Sequence, residues 1–191
     1  MNTDVETLTA ACAEEHYAKV AACKAVPVPA PAPAPKIKRY VAGFAFDTAL
    51  KHVLLIQKTK PAWQAGRLNG IGGKVEPHEH DSIDAMVREF YEEANIYTTR
   101  SDWRHYAALT IRADAKVGSQ EPAHVDFFCA KMPGAQLHSF SSMTEECVTL
   151  LGVDQCVEGN VALLPNLCWL VPMAKRHLQG HVPRFCHVIE N

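Results

Sequence analysis

Three glutamates near the middle of the chain, Glu89, Glu92 and Glu93, fall within five positions of a stretch, GGKVEPHEHDSIDAMVREFYEEANI (residues 72–96), that carries seven acidic side chains. On a helix they share one arc of roughly 100°. Like charges three and four apart repel there by a few tenths of a kcal/mol per pair. A solvated acidic face is the plain explanation of such a cluster. The preceding loop argues for a second one. Gly72-Gly73 lets backbone approach closely and leaves carbonyls free to face an ion, Glu79 adds a carboxylate, and Arg88 stands beside Glu89. Oxygen donors of this kind suit hard Mg²⁺ or Mn²⁺, which retain waters and share substrate phosphates. His78, His80 and Asp81 raise a zinc reading, but they lie in a loop with no partner pair at metal spacing.

The elements that must position these groups follow from periodicity. Ile83, Val87, Phe90 and Ala94 recur at spacings of four, three and four, which predicts a helix over 81–94 with its acidic edge beside an apolar stripe. Apolar runs at 40–46 and 52–57 predict two strands joined by a short turn, and 68–75 a short strand running into a Gly-rich loop. Further strands are expected near 106–113, 124–131, 146–151 and 184–189, with a second helix over 166–178. Mixed strands with two helices give an α/β sandwich. Ahead of them, Thr3-Asp4-Val5-Glu6 fits a capping box, so 1–25 is expected to be an Ala-rich helical extension. The run VPVPAPAPAP makes 26–36 an extended spacer. The globular domain is then 37–191.

Composition bounds the function. The chain has 191 residues, 48% hydrophobic and 21% charged, with net charge −2, which argues against a broad surface for a nucleic-acid polymer but leaves room for single nucleotides. No apolar run approaches the ~20 residues of a membrane span. The seven cysteines form no CxxC pair and read as reduced, mostly buried thiols; with no secretory signal apparent at MNTDVETL, a cytoplasmic protein is expected. A homodimer is compatible with all of this.

Gly73, Glu79, Arg88-Glu89-Phe90, Glu92-Glu93 and Ile96 resemble the signature of the Nudix hydrolases. Two departures stand out. Eight residues instead of seven separate Glu79 from Arg88, and Asn95 occupies a glycine position, where asparagine is the next-best residue for a left-handed helix end. The extra residue puts Glu79 in question and leaves the mutual spacing of the helix glutamates intact. The resemblance implies a Nudix-type α/β/α sandwich with a mixed sheet, and Mg²⁺-dependent hydrolysis of a diphosphate linked to another moiety. It implies metal binding by Glu89, Glu92 and Glu93 with the Gly72 carbonyl, and an orienting role for Arg88. Glu79 or Glu89 would deprotonate the attacking water, and Lys74 would touch phosphate. A further metal-binding glutamate beyond the signature is expected at Glu146, with Glu121 second.

The segment around Asn69, and Pro165-Asn166 with Trp169 after it, is similar to the base-pocket segments of MutT-type members that hydrolyse oxidised purine nucleotides. An amide can donate and accept across a purine edge, and Trp63 or Trp169 could pack on the ring. A turn residue is the competing reading for Asn69, and a helix cap for Asn166. The expected substrate is a nucleoside triphosphate, such as 8-oxo-dGTP, cut to monophosphate and pyrophosphate. ADP-ribose, another nucleotide sugar or a dinucleotide is the alternative, and a catalytically inactive nucleotide-sensing module the third.

Overall fold

Val41 to Phe46 are buried without interruption, as expected of a strand covered on both faces. The computed structural model describes residues 37–111, 122–159, 161–181 and 185–190. The expected helical extension (1–25), the proline spacer (26–36) and Glu121 lie outside the described residues. The strands are β1 (Lys38–Asp47), β2 (His52–Gln57), β3 (Leu68–Asn69), β4 (Trp103–Ile111), β5 (Ala123–Met132), β6 (Cys147–Gly152) and β7 (Cys186–Glu190). The helices are α1 (Ser82–Ala94), α2 (Gly134–Leu137), α3 (Gln155–Glu158) and α4 (Leu167–Leu178).

The seven strands form one mixed sheet in the order β3-β2-β1-β5-β4-β7, with β6 pairing β2. β1 runs parallel to β5 from Lys38↔Ala123 to Asp47↔Met132 and antiparallel to β2 at Ala45↔Leu54 and Phe46↔Val53. Alternation along β1 sorts its side chains between two cores. Ala42, Phe44 and Phe46 join Leu167, Leu170, Val171 and Ala174 of α4. Val41 and Ala45 join Ala85, Met86, Phe90 and Ala94 of α1. The result is the expected mixed α/β fold, with a helix on each face of the sheet.

The buried stripe of α1 is rotated from the expected one. Ser82, Ala85, Met86, Phe90, Glu93 and Ala94 are buried, whereas Ile83 and Val87 are only partly so. The cause lies in β1: a Cβ on Gly43 would stand 2.6 Å from the Met86 Sδ and 2.8 Å from Trp103. The strand therefore leaves a hollow that Met86 fills, and the turn that brings Met86 inward brings Glu93 with it. Asp81 caps the helix start, accepting from the Ile83 N–H, and Arg100 pairs with both Asp81 and Asp84. Asn95 ends the helix in the left-handed conformation (φ 55°, ψ 33°), its N–H bonded to the Tyr91 carbonyl.

Candidate active site

The stretch 68–75 is regular only at β3, Leu68–Asn69; beyond it the chain bridges to β1 at Gly43↔Ile71 and Tyr40↔Lys74. Backbone bonds from Gly43 N–H to the Ile71 carbonyl (2.7 Å), Val41 N–H to Gly73 (2.8 Å) and Val75 N–H to Arg39 (2.9 Å) clamp the Gly-rich loop. Gly72 sits at φ 150°, and a Cβ there would lie 2.2 Å from the Val41 carbonyl oxygen; one on Gly73 would lie 2.6 Å from Glu89 Oε1. The absence of two side chains lets the helix carboxylates press onto the loop. Gly72 N–H donates to Glu93 Oε2 (2.9 Å). Among the described residues no hydrogen bond reaches the Gly72 carbonyl, which stays available to a cation.

Arg88 is the first of two cationic hubs. Its Nε and Nη2 donate to the two oxygens of Glu79 (2.9 and 3.2 Å), and Nη1 to Glu89 Oε1 (2.8 Å) and Glu92 Oε2 (2.9 Å). Nη2 also reaches the Lys74 carbonyl at 3.1 Å. The extra residue is therefore absorbed at the loop-to-helix junction, where Asp81 caps, and Glu79 keeps its place on Arg88. The same Glu79 carboxylate accepts from the Glu76 N–H (2.7 Å). These bonds, that from Arg88 first, hold its pKa below the ordinary value.

Lys58, just past β2, is the second hub, and sequence reasoning missed it. Its ammonium lies 3.8 Å from Glu93 Oε1 and pairs directly with Glu146 Oε2, although its side chain is only 16% exposed. Thr59 adds its N–H (2.7 Å) and hydroxyl (3.3 Å) to Glu146 Oε1. No local spacing marks Lys58. It reaches the site because β6 pairs with β2 through Gln57↔Cys147, which places Lys58 opposite Glu146.

The charge in this region does not balance. Glu79, Glu89, Glu92, Glu93 and Glu146 make five carboxylates against two cations, Arg88 and Lys58. Burial is the main cause that pushes Glu93 up to about 7, with Glu89 and Glu146 adding repulsion. Burial likewise raises Glu89. Among the described residues no three acidic, histidine or cysteine side chains already converge as a finished metal cage. The donor set nevertheless fits a hard divalent ion: an excess of negative charge, half-buried oxygens, and a free carbonyl beside them.

The remaining predicted residues are scattered around this centre. The Lys74 side chain is exposed and lines, with Lys38 and Arg39, a groove of about 670 Å³ beside the loop. Asn69 uses its carbonyl oxygen on its neighbour's N–H (Gly70, 2.8 Å), as a turn residue does. The segment that leads into α4 runs beside it, because Leu68 bridges Leu163 and bonds to Ala162 and Leu164. Asn166 makes no capping bond, and its Oδ1 is buried without a partner among the described residues. Trp63 is 65% exposed at the β2–β3 connection, whereas Trp169 packs against the α4-side core. His78 and His80 are exposed.

The NUDIX domain family model matches residues 36–146, more than half of the chain. The protein belongs to the NUDIX family. Solved Nudix structures superpose on it at low identity. MutT from Bacillus halodurans shares 18% identity over 71% of this chain and 80% of its own, with TM-score 0.53. The NUDIX domain of Shewanella oneidensis NrtR, solved with ADP ribose, shares 15% over 78% and 93%, TM-score 0.57. A C. elegans Ap4A hydrolase shares 20% over 75% and 99%, TM-score 0.56. At these identities the likeness is one of fold. No curated protein sequence matches it. No helix among the described residues is long and apolar enough to cross a membrane.

Proposed function

We propose that this Nudix protein is a Mg²⁺-dependent diphosphatase that cleaves a nucleoside triphosphate to monophosphate and pyrophosphate. The observation that carries the proposal is the excess of three carboxylates over cations that Glu79, Glu89, Glu92, Glu93 and Glu146 make against Arg88 and Lys58 around the Gly72-Gly73 loop. Glu89, Glu92, Glu93 and Glu146, with the Gly72 carbonyl, would hold Mg²⁺ or Mn²⁺. When bound, the ion supplies neutralisation of phosphate charge and a more acidic attacking water.

The chain's own residues do the rest. Arg88 fixes Glu89 by one oxygen, and Glu89 Oε2 accepts no hydrogen bond among the described residues. Both oxygens of Glu79 are held by Arg88, and one also by the Glu76 N–H. Glu89 is thus the residue to take the proton from water, and Glu79 the one that keeps Arg88 in place. Lys74 meets the departing phosphates from its exposed position. Asn166 supports the purine reading. A buried acceptor without a partner costs about 1–3 kcal/mol, which a donor on the base edge would recover once the Asn166 side chain turns outward to meet it. Trp63 is the exposed ring available for stacking.

The test is a panel of nucleoside triphosphates, oxidised and unmodified, with ADP-ribose and dinucleotides, assayed with Mg²⁺ and with product analysis. Pyrophosphate plus monophosphate is the expected outcome. Turnover of ADP-ribose or dinucleotides with triphosphates untouched moves the chain to the alternative substrate class. Binding without any turnover makes it a sensing module.

A further inference from the structure

We propose that Lys58 is a positioning residue that acts as a built-in counter-ion: its ammonium competes with a divalent cation for Glu93 and Glu146, and so sets how tightly the site takes that cation. The inference rests on the cation-binding part of the proposed function and concerns a residue outside the Nudix signature.

The geometry is specific. Glu93 comes from the buried edge of α1, Glu146 from the position just before β6, and Lys58 from the position just after β2. The ammonium lies 3.8 Å from Glu93 Oε1 and makes a direct ion pair with Glu146 Oε2. The side chains of all three are largely shielded, at 16%, 10% and 11% exposure for Lys58, Glu93 and Glu146. Thr59 holds the other Glu146 oxygen through its N–H at 2.7 Å. Both oxygens of Glu146 are therefore occupied by residues 58–59. A cation that uses Glu146 must displace Lys58 or accept its repulsion.

The neighbouring ion pair supplies the contrast. Lys60 and Glu145 lie two residues and one residue away and also pair, at 2.9 Å, but their side chains are 81% and 67% exposed. Solvent screens that pair, so its loss changes little. The shielded pair lies in a medium of lower effective dielectric, where a unit positive charge within a few ångströms of a divalent ion opposes it strongly. Arg88 cannot take this part, because its fork is fixed on Glu79 and Glu89.

The experiment measures Mn²⁺ binding to the full chain, without substrate, by the paramagnetic signal of free Mn²⁺ and by calorimetry at pH 8.5. Lys58→Met and Lys58→Gln are expected to bind Mn²⁺ roughly tenfold tighter than the parent. Lys58→Arg should keep the parent affinity, as should the exposed control Lys60→Met. Thermal melts identify any variant that has not folded, and the two neutral variants of different shape back each other up. Unchanged or weaker Mn²⁺ binding in folded Lys58→Met and Lys58→Gln overturns the inference while leaving the cation site intact. If the parent chain binds no Mn²⁺, the site assignment itself fails.

Discussion

The two hubs of the candidate active site are built in opposite ways. Arg88 gathers Glu79, Glu89 and Glu92, all within fourteen residues of chain and all on one helix and the loop before it. Lys58 gathers Glu93 and Glu146 across separations of 35 and 88 residues, from three elements that meet only in the folded sheet. The Arg88 hub is a local device: helix spacing places its members, and the chain tolerates one extra residue because the change is confined to the junction capped by Asp81. The Lys58 hub depends on strand register, since a one-residue slip of β6 against β2 would turn Glu146 to the opposite face. Chemistry at this site joins a part specified by sequence neighbours to a part specified by the fold.

That difference can be broken from either side. Replacing Glu93, the carboxylate both buried and shared with the Gly72 N–H, has the largest expected effect. Glu93→Gln should lower turnover by at least ~100-fold with its thermal melt retained, and unchanged activity would remove Glu93 from the site. Next comes the Arg88 hub. Arg88→Ala strands Glu79 and Glu89, whose side chains are 7% and 13% exposed. It should cost on the order of 2–3 kcal/mol in urea unfolding, and Arg88→Lys should recover only part of this because an ammonium lacks the fork. An Arg88→Ala variant as stable as the parent would mean that the hub has no structural role.

Smaller changes sharpen the contrast. Asn166→Ala removes a buried acceptor with no partner and no capping bond. Stability is expected to stay level or rise by up to ~1 kcal/mol, while discrimination between bases falls in the substrate panel. A clear loss of stability would make Asn166 a structural residue. The smallest effect concerns Asp126, a carboxylate on the α1 side of the sheet. Burial pushes its pKa up, but hydrogen bonds from His105 and Ser82 outweigh that and hold it at about 2. Since the folded value lies below the ordinary one, its contribution is complete above about pH 4 and lost as pH falls through about 2. An Asp126→Asn variant should therefore flatten the acid limb of the stability curve in that window. An unaltered limb would show that Asp126 contributes nothing there.

The legibility of the molecule follows the same division. Strands β1, β2, β4 and β5 and both long helices were readable because each signal repeats within a few turns or residues, whereas the orienting role of Arg88 came from the family resemblance, which left Glu79 in question. Asn95 as the left-handed helix end was readable from the glycine position it takes in the family pattern, because asparagine tolerates that conformation next best. The rotated stripe of α1 was not, because Met86 turns inward for a reason located in β1, the hollow over Gly43. Glu146 could be named only through the family resemblance, and Lys58 not at all: what makes a lysine after an apolar strand significant is the partner strand's register. For Asn166 the sequence favours a helix cap over a base reader, and the missing capping bond argues against the cap.

The most direct test counts divalent ions on the full-length protein by Mn²⁺ titration, comparing the parent with a Glu89→Gln/Glu93→Gln double variant. Saturable binding in the parent, lost in the folded double variant, is the predicted result. Equal binding in both would mean that the acidic edge of α1 faces water rather than a cation.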